Sequence, residues 1–201
     1  LGALSKAHNL LTERQWTPAP LAAIVDDVSH VCGAARERIR AARHYVSRRA
    51  HSSLALIDTR GRVYGWAPRR RYVSASVVKA MLLVAYLRKI GNRRPNPAER
   101  AALGPMVTRS DNDLASAVYG RVGDAALLAL ARRARMRDLT VAGHWGSVFF
   151  SASDQARFFR RFDRLTPPRS RPYARRLLSA IVPWQRWGFS RVARRAGWRT
   201  F

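Results

Sequence analysis

Apolar positions at helical spacing alternate with polar breaks through most of this chain, and alternation of period two is confined to short stretches. From Leu21 to about Tyr45, Ile24, Val28, Val31 and Ala35 mark one helix face, behind a polar leader or arm over 1–20 that carries Pro18 and Pro20. Residues 52–58 read as a strand. Asp58-Thr59-Arg60-Gly61 is a turn with glycine where positive φ is tolerated, and Arg62 to Trp66 returns as a second strand. Ser76 to Ile90 is an apolar helix closed by Gly91. A helix over 97–108 follows, with Pro97 as its first residue, then a polar turn at Ser110-Asp111-Asn112. Asp113 is placed to cap the next helix, to about Gly120, and another runs from Asp124 to about Arg135. The stretch from Thr140 to Phe150 is irregular. Ser151 or Ser153 caps a helix to Leu165 that Pro167-Pro168 breaks, 172–182 is helical, and Trp198 to Phe201 begins a strand.

Helices fill the middle and strand material lies towards both ends. That distribution predicts an α+β fold, an α/β/α sandwich in which an antiparallel sheet from early and late segments carries an inserted all-helical lobe. The sheet lobe is expected at about 21–72 and 185–201, the helical lobe at about 73–184. The longest apolar run, Val77 to Leu87, is interrupted by Lys79 and falls short of the ~20 residues of a membrane span.

Charge changes the picture of partners more than of fold. The net charge is +26 over 201 residues, and only Lys6, Lys79 and Lys89 are lysines. Such a field favours anionic polymers, among them nucleic acid, acidic lipid surfaces and wall polymers. It is also what a solvated arginine-rich surface gives, since the arginines are spread along the whole chain and Arg69-Arg70-Arg71 is the densest run. No zinc-finger spacing, aromatic RNA-binding pattern or basic heptad region accompanies them, which argues against a nucleic-acid module. Cys32 is the single cysteine, so the chain holds no internal disulfide or cysteine metal site, and its helical setting reads as a packed thiol.

Two short motifs carry candidate chemistry. Ser76-Val77-Val78-Lys79 opens the apolar helix and sets a hydroxyl and an amine three residues apart, on one helix face. A serine hydroxyl needs a base to become a nucleophile, and a lysine serves when burial and nearby positive charge lower its pKa. Ser110-Asp111-Asn112 adds a second hydroxyl and a carboxamide. A Ser-x-x-Lys spacing arises by chance about once in a chain of this length, and Ser-Asp-Asn in roughly a few per cent of chains. Alone, the tripeptide is a capping turn. The two in this order, downstream of a hairpin, form a kit for acyl transfer through a serine ester.

In these motifs, and from about Leu21 to Phe201, the chain resembles the penicillin-recognising serine enzymes, in particular class A β-lactamase-like serine hydrolases. The resemblance includes the strand-turn-strand from His51 to Trp66, Tyr72-Val73-Ser74-Ala75 before Ser76, and Met106-Val107-Thr108-Arg109 before Ser110. It implies Ser76 as the acylated nucleophile, Lys79 as its proton partner and Ser110 as a relay towards the leaving group. Asn112 would hold the substrate amide, Asp111 would brace the turn, and the Ser76 backbone N–H would be one oxyanion donor. It further implies an exported monomer with no cofactor or metal, acting on a β-lactam, an ester or a D-amino-acid peptide.

The chain departs from that pattern twice. The family's deacylating glutamate follows the Ser-Asp-Asn motif, whereas Glu13, Glu37 and Glu99 all precede it. The matching stretch, Val141 to Phe150, offers His144, which reads as a packed or surface histidine before it reads as a base. The third motif, Lys-Thr-Gly or Lys-Gly-Gly, is absent, since no lysine follows Lys89 and Arg195-Ala196-Gly197 belongs to a turn. The closing strands and the last helix are therefore expected beyond Phe201, and a lasting acyl-enzyme with slow lactam hydrolysis is the expected chemistry. The competing expectation is a non-catalytic protein of the same fold that holds an anionic wall polymer or membrane surface through its positive charge.

Overall fold

The computed structural model describes residues 36–185 apart from Arg38, Arg49, Ala50 and Thr59. The leader at 1–20, the helix face at 24–35, Cys32 and the strand at 198–201 lie outside the described residues. The chain divides into two compact units, one of Leu1–Ser52 with Gly188–Thr200 and one of Ser53–Trp187 with Phe201. In the first, residues 39–47 form helix α1, and the Ser52 hydroxyl donates to the Val46 carbonyl (2.8 Å).

The second unit opens with the hairpin that the alternating pattern predicts. Strands β1 (Leu54–Ile57) and β2 (Val63–Trp66) pair antiparallel, with Leu54 opposite Trp66 and Ile57 opposite Val63. Asp58 braces the turn: its carboxylate accepts from the Arg62 backbone N–H (2.8 Å) and from the Tyr64 hydroxyl (3.2 Å). Gly65 sits where a Cβ would lie 1.8 Å from the Leu54 carbonyl oxygen, so only glycine lets the strands approach. A second pair, β3 (Arg71–Val73) with β4 (Phe149–Ser151), was not visible in the sequence. Each strand is only three residues long and its partner is more than 70 residues away, so neither shows its own period.

Helix α2 (Lys79–Ile90) is buried from Lys79 through Leu87 and forms the axis of the core, and Gly91 closes it at φ 73°. Around it pack Leu103 and Met106 of α3 (Pro97–Thr108), and Ala115, Val118, Leu127 and Leu130 of α4 (Asn112–Ala134). Phe158 of α5 (Ala152–Arg160), Phe162 of α6 (Phe162–Leu165) and Leu177 and Leu178 of α7 (Arg171–Ser179) complete it. The start of α3 follows the sequence closely: Asn96 caps it, Pro97 is the first residue, and Glu99 returns a bond to the cap (2.8 Å).

Three expectations need correction, and a fourth, the break near Gly123, stands. The motif helix does not begin as an α-helix at Ser76: a 3-10 turn over Ala75–Val78 precedes α2. Asp111, not Asp113, caps α4, its carboxylate accepting from the Leu114 N–H (2.9 Å). The two helices expected on either side of Gly120–Asp124 are present as the two halves of α4, divided at Gly123, whose φ of 67° and ψ of 179° only glycine adopts readily. The helix expected to reach Leu165 stops at Arg160 and restarts at Phe162. By length and hydropathy α4 could cross a membrane, but it is kinked and its two halves face the core.

Candidate active site

The β3–β4 ladder does not stop at Val73. The Ser74 N–H donates to the Val148 carbonyl (2.7 Å), so the chain enters the Ser76 turn held against the segment that follows Trp145. Ala75 is then driven to φ 43°, a left-handed conformation that costs a non-glycine residue roughly 1 kcal/mol or more. This bend puts Ser76 and Val77 on the surface while Val78 and Lys79 turn inward. The Val77 N–H bonds back to the Ser74 carbonyl (3.0 Å), which closes the turn.

Lys79 is 3 % exposed and forms no ion pair with a carboxylate among the described residues. Its ammonium is held by neutral acceptors: Asn112 Oδ1 at 2.7 Å, Ser110 Oγ at 3.0 Å and the Ser110 carbonyl. The Trp145 ring lies over it, with Nζ 4.8 Å from the ring centroid. Burial pushes the Lys79 pKa down, and the negative charge of Asp111 offsets this only in part. The result is an amine biased towards losing its proton, which is the state a general base needs.

Ser110 reaches Lys79 because it too is left-handed, at φ 59°. The end of α3 and the start of α4 meet at this residue, and Asp111 fixes the bend through its cap on Leu114. Asn112 is the first residue of α4, so its side chain projects from the helix start towards Lys79. Two strained non-glycine residues thus stand where the two motifs face each other.

The structure therefore joins Lys79, Ser110 and Asn112 directly, with Asp111 as the brace. Ser76 shares a turn with Lys79, whose N–H donates to the Ser76 carbonyl, and among the described residues no hydrogen bond holds the Ser76 hydroxyl. Ser76 is exposed.

The irregular stretch from Thr140 to Phe150 contains a 3-10 turn, Trp145–Ser147, that sequence reading did not assign to the site. Its Trp145 is 7 % exposed, and its indole N–H donates to Ser116 Oγ (3.0 Å) in the first turns of α4. A tryptophan five residues after a bridging Thr140 carries no signal of its own. His144 is exposed, and its Nδ1 accepts the Gly146 N–H (3.1 Å), so it caps the turn. The segment leading in is fixed from below by buried Asp154, which accepts the backbone N–H groups of Arg137 (2.7 Å) and Asp138 (2.9 Å).

No family model and no curated protein matches this chain. Solved structures do. A variant of the last common ancestor of Gram-negative bacteria class A β-lactamase, bound to the transition-state analogue 5(6)-nitrobenzotriazole, aligns with a TM-score of 0.54 at 19 % identity over 73 % of this chain and 70 % of its own. A β-lactamase from Desulfarculus baarsii aligns with a TM-score of 0.53 at 20 % identity, over 75 % of this chain and 70 % of its own. A further ancestral class A variant gives 0.51 at 21 % identity over 65 % and 64 %. The chain thus spans about two thirds of the length of these structures. At this identity the likeness is one of fold, and the fold of this chain is that of the class A β-lactamases, as the two motifs imply.

Proposed function

We propose that the chain is a serine hydrolase of the class A β-lactamase-like type, acylated on Ser76 and deacylated slowly by water. The observation that carries this reading is the buried, carboxylate-free Lys79, which shares its turn with Ser76 and bonds to Ser110 and Asn112. A neutral Lys79 keeps two N–H donors and gains a lone pair, so it gives up one of its three bonds to turn that lone pair towards Ser76.

Ser76 Oγ then attacks the acyl carbon and its proton passes to Lys79 Nζ. As the C–N bond of a lactam or peptide breaks, the proton returns through Ser110 Oγ, 3.0 Å from Nζ, to the leaving nitrogen. Asn112 has its amide NH2 free of Lys79 and able to donate to a carbonyl of the acyl donor. Water afterwards attacks the ester, the acyl C–O bond breaks, and Ser76 regains its proton as the acid departs. A small-molecule acyl donor fits neighbours that hold a small transition-state analogue. The test is incubation of the full-length protein with a labelled penicillin followed by intact mass. A single adduct that Ser76→Ala abolishes supports the reading, and an adduct that survives the substitution overturns it.

A second reading rests on a separate observation. Arg161, between α5 and α6, has its pKa pushed down by burial and by the crowding of Arg135 at the end of α4 and of Arg160, Arg157 and Arg164, which together make a cationic cluster. Such a cluster suits an anionic wall polymer. Steeply salt-dependent polymer binding, unchanged by Ser76→Ala, is its expected result, and salt-insensitive or absent binding counts against it.

A further inference from the structure

Trp145 is the one large side chain at the site that the proposed chemistry leaves without a task. It is clamped from two sides. Its indole N–H donates to Ser116 Oγ (3.0 Å), whose own hydroxyl donates to the Asn112 carbonyl (3.0 Å), so the ring is tied to the helix start that carries Asn112. The ring face covers Lys79 Nζ at 4.8 Å, and the His144 ring packs beside it, tilted, at 5.2 Å between centroids. The three acceptors and the indole therefore surround the amine, and Lys79 has almost no contact with water.

Hydrolysis of an ester needs a water molecule beside a base. Among the described residues, Asp111 is the carboxylate whose charge reaches Lys79, and it is engaged as the cap of Leu114. Lys79 is thus the base at hand, and the space from which a water would approach it is filled by an aromatic ring.

We propose that Trp145 is a positioning residue that seals Lys79 from solvent and so makes the Ser76 acyl-enzyme long-lived, which makes the protein an acyl trap more than a rapid hydrolase. It rests on Ser76 forming the acyl-enzyme. Acylation is spared because the proton moves between Ser76, Lys79 and Ser110 without water. Deacylation is slowed because the attacking water must give its proton to an amine it cannot reach. Removing the ring opens a space faced by Lys79 Nζ and Ser116 Oγ, two polar partners that suffice to hold a water. That water attacks the acyl carbon, its proton goes to Lys79, the acyl C–Oγ bond breaks, and the proton returns to Ser76 Oγ.

The experiment compares wild type, Trp145→Ala and Trp145→Phe, following the adduct of a labelled penicillin by intact mass. Trp145→Ala is expected to shorten the adduct lifetime about tenfold or more while the adduct still forms on Ser76, since Ser76, Lys79 and Ser110 all remain. Trp145→Phe keeps a ring over the amine, loses only the bond to Ser116, and is expected to stay within about twofold of wild type. Equal lifetimes in all three proteins, with adduct formed, overturn the role of Trp145 and leave acylation of Ser76 standing. Phenylalanine behaving as alanine overturns the sealing by a ring. Absence of any adduct overturns acylation and this inference with it.

A second measurement does not depend on acylation. Because the chain has only three lysines, acetic anhydride labelling read by peptide mass resolves Lys79 against exposed Lys89 in the same sample. Lys79 is expected to react at least about tenfold more slowly than Lys89 in wild type and in Trp145→Phe, and to approach it in Trp145→Ala. Equal protection of Lys79 in wild type and Trp145→Ala contradicts the seal.

Discussion

Lys79 and Glu99 are both buried charged residues, and they are held in opposite ways. Glu99 has a full set of complementary partners: Arg93 at 2.5 and 2.7 Å, the Asn96 backbone N–H at 2.8 Å and the Tyr86 hydroxyl at 3.3 Å. The side-chain bonds from Arg93 lead in lowering its pKa to about 2, so it stays a carboxylate at any ordinary pH. Lys79 has dipoles, a ring face and the more distant charge of Asp111, but no ion pair among the described residues, and burial pushes its pKa down. One charge is locked to hold a helix start, and the other is left ready to lose its proton. A site that must pass protons is built from the second kind.

The largest expected effect falls on the unlocked charge. Lys79→Met lowers the acylation rate about 10²–10⁴-fold, the range for removal of a general base, read as adduct formation with a labelled penicillin. Unchanged acylation would remove Lys79 from the proton path. Glu99→Ala does the converse. It lowers stability by about 2 kcal/mol, through the lost ion pair and the lost half of the capping box, and leaves acylation within about twofold. A denaturant titration of the two variants sharpens the contrast, which fails if Lys79→Met is the less stable of the pair.

pH separates the two charges further. The Glu99 pKa is depressed, so its contribution is fully present above the unfolded value near 4.5 and is lost as pH falls through about 2. Since Arg93 is half exposed, that contribution is about 1–2 kcal/mol after discounting for solvent. Glu99→Gln should therefore flatten the acid limb of stability by that amount, and an unchanged limb contradicts the assignment. Lys79 acts in its neutral form, so acylation rises with pH and levels off below the ordinary lysine value near 10.4. A rate that falls as pH is raised would reverse the role assigned to the amine. The smallest expected effect is that of His144→Ala. The imidazole caps a surface turn and packs beside the Trp145 ring, which keeps its bond to Ser116 without it, so acylation and adduct lifetime should stay within about twofold, and a larger change would give His144 a chemical role.

Local signals in the sequence carried the parts of the fold that are local in the structure. Alternation and Gly61 placed the β1–β2 hairpin, and Pro97 placed the start of α3, because turns and helix starts are settled within a few residues. The break near Gly120–Asp124 was legible because glycine marks it. The β3–β4 pair was not. Three-residue strands joined across more than 70 residues leave no periodic trace, and that pair is what sets Ser74 against Val148 and bends the chain at Ala75.

The site divides along the same line. Residue types and spacing named Ser76, Lys79, Ser110, Asp111 and Asn112, and the structure joins the last four through the bonds to Nζ and the cap on Leu114. Trp145 was missed because its importance lies in what the tertiary fold places beneath it. The 3-10 turn at Ser76 was missed for a related reason: the helix start is displaced by a strained residue that the ladder imposes.

The central claim is that Ser76 is an acylatable nucleophile served by Lys79. Its most direct test is the intact mass of the full-length protein after exposure to a labelled penicillin, beside Ser76→Ala and Lys79→Met. The account predicts one added acyl group on wild type, mapped to the peptide that contains Ser76, none on Ser76→Ala, and strongly slowed labelling of Lys79→Met. An equal mass shift on wild type and Ser76→Ala, or none on wild type, would contradict it.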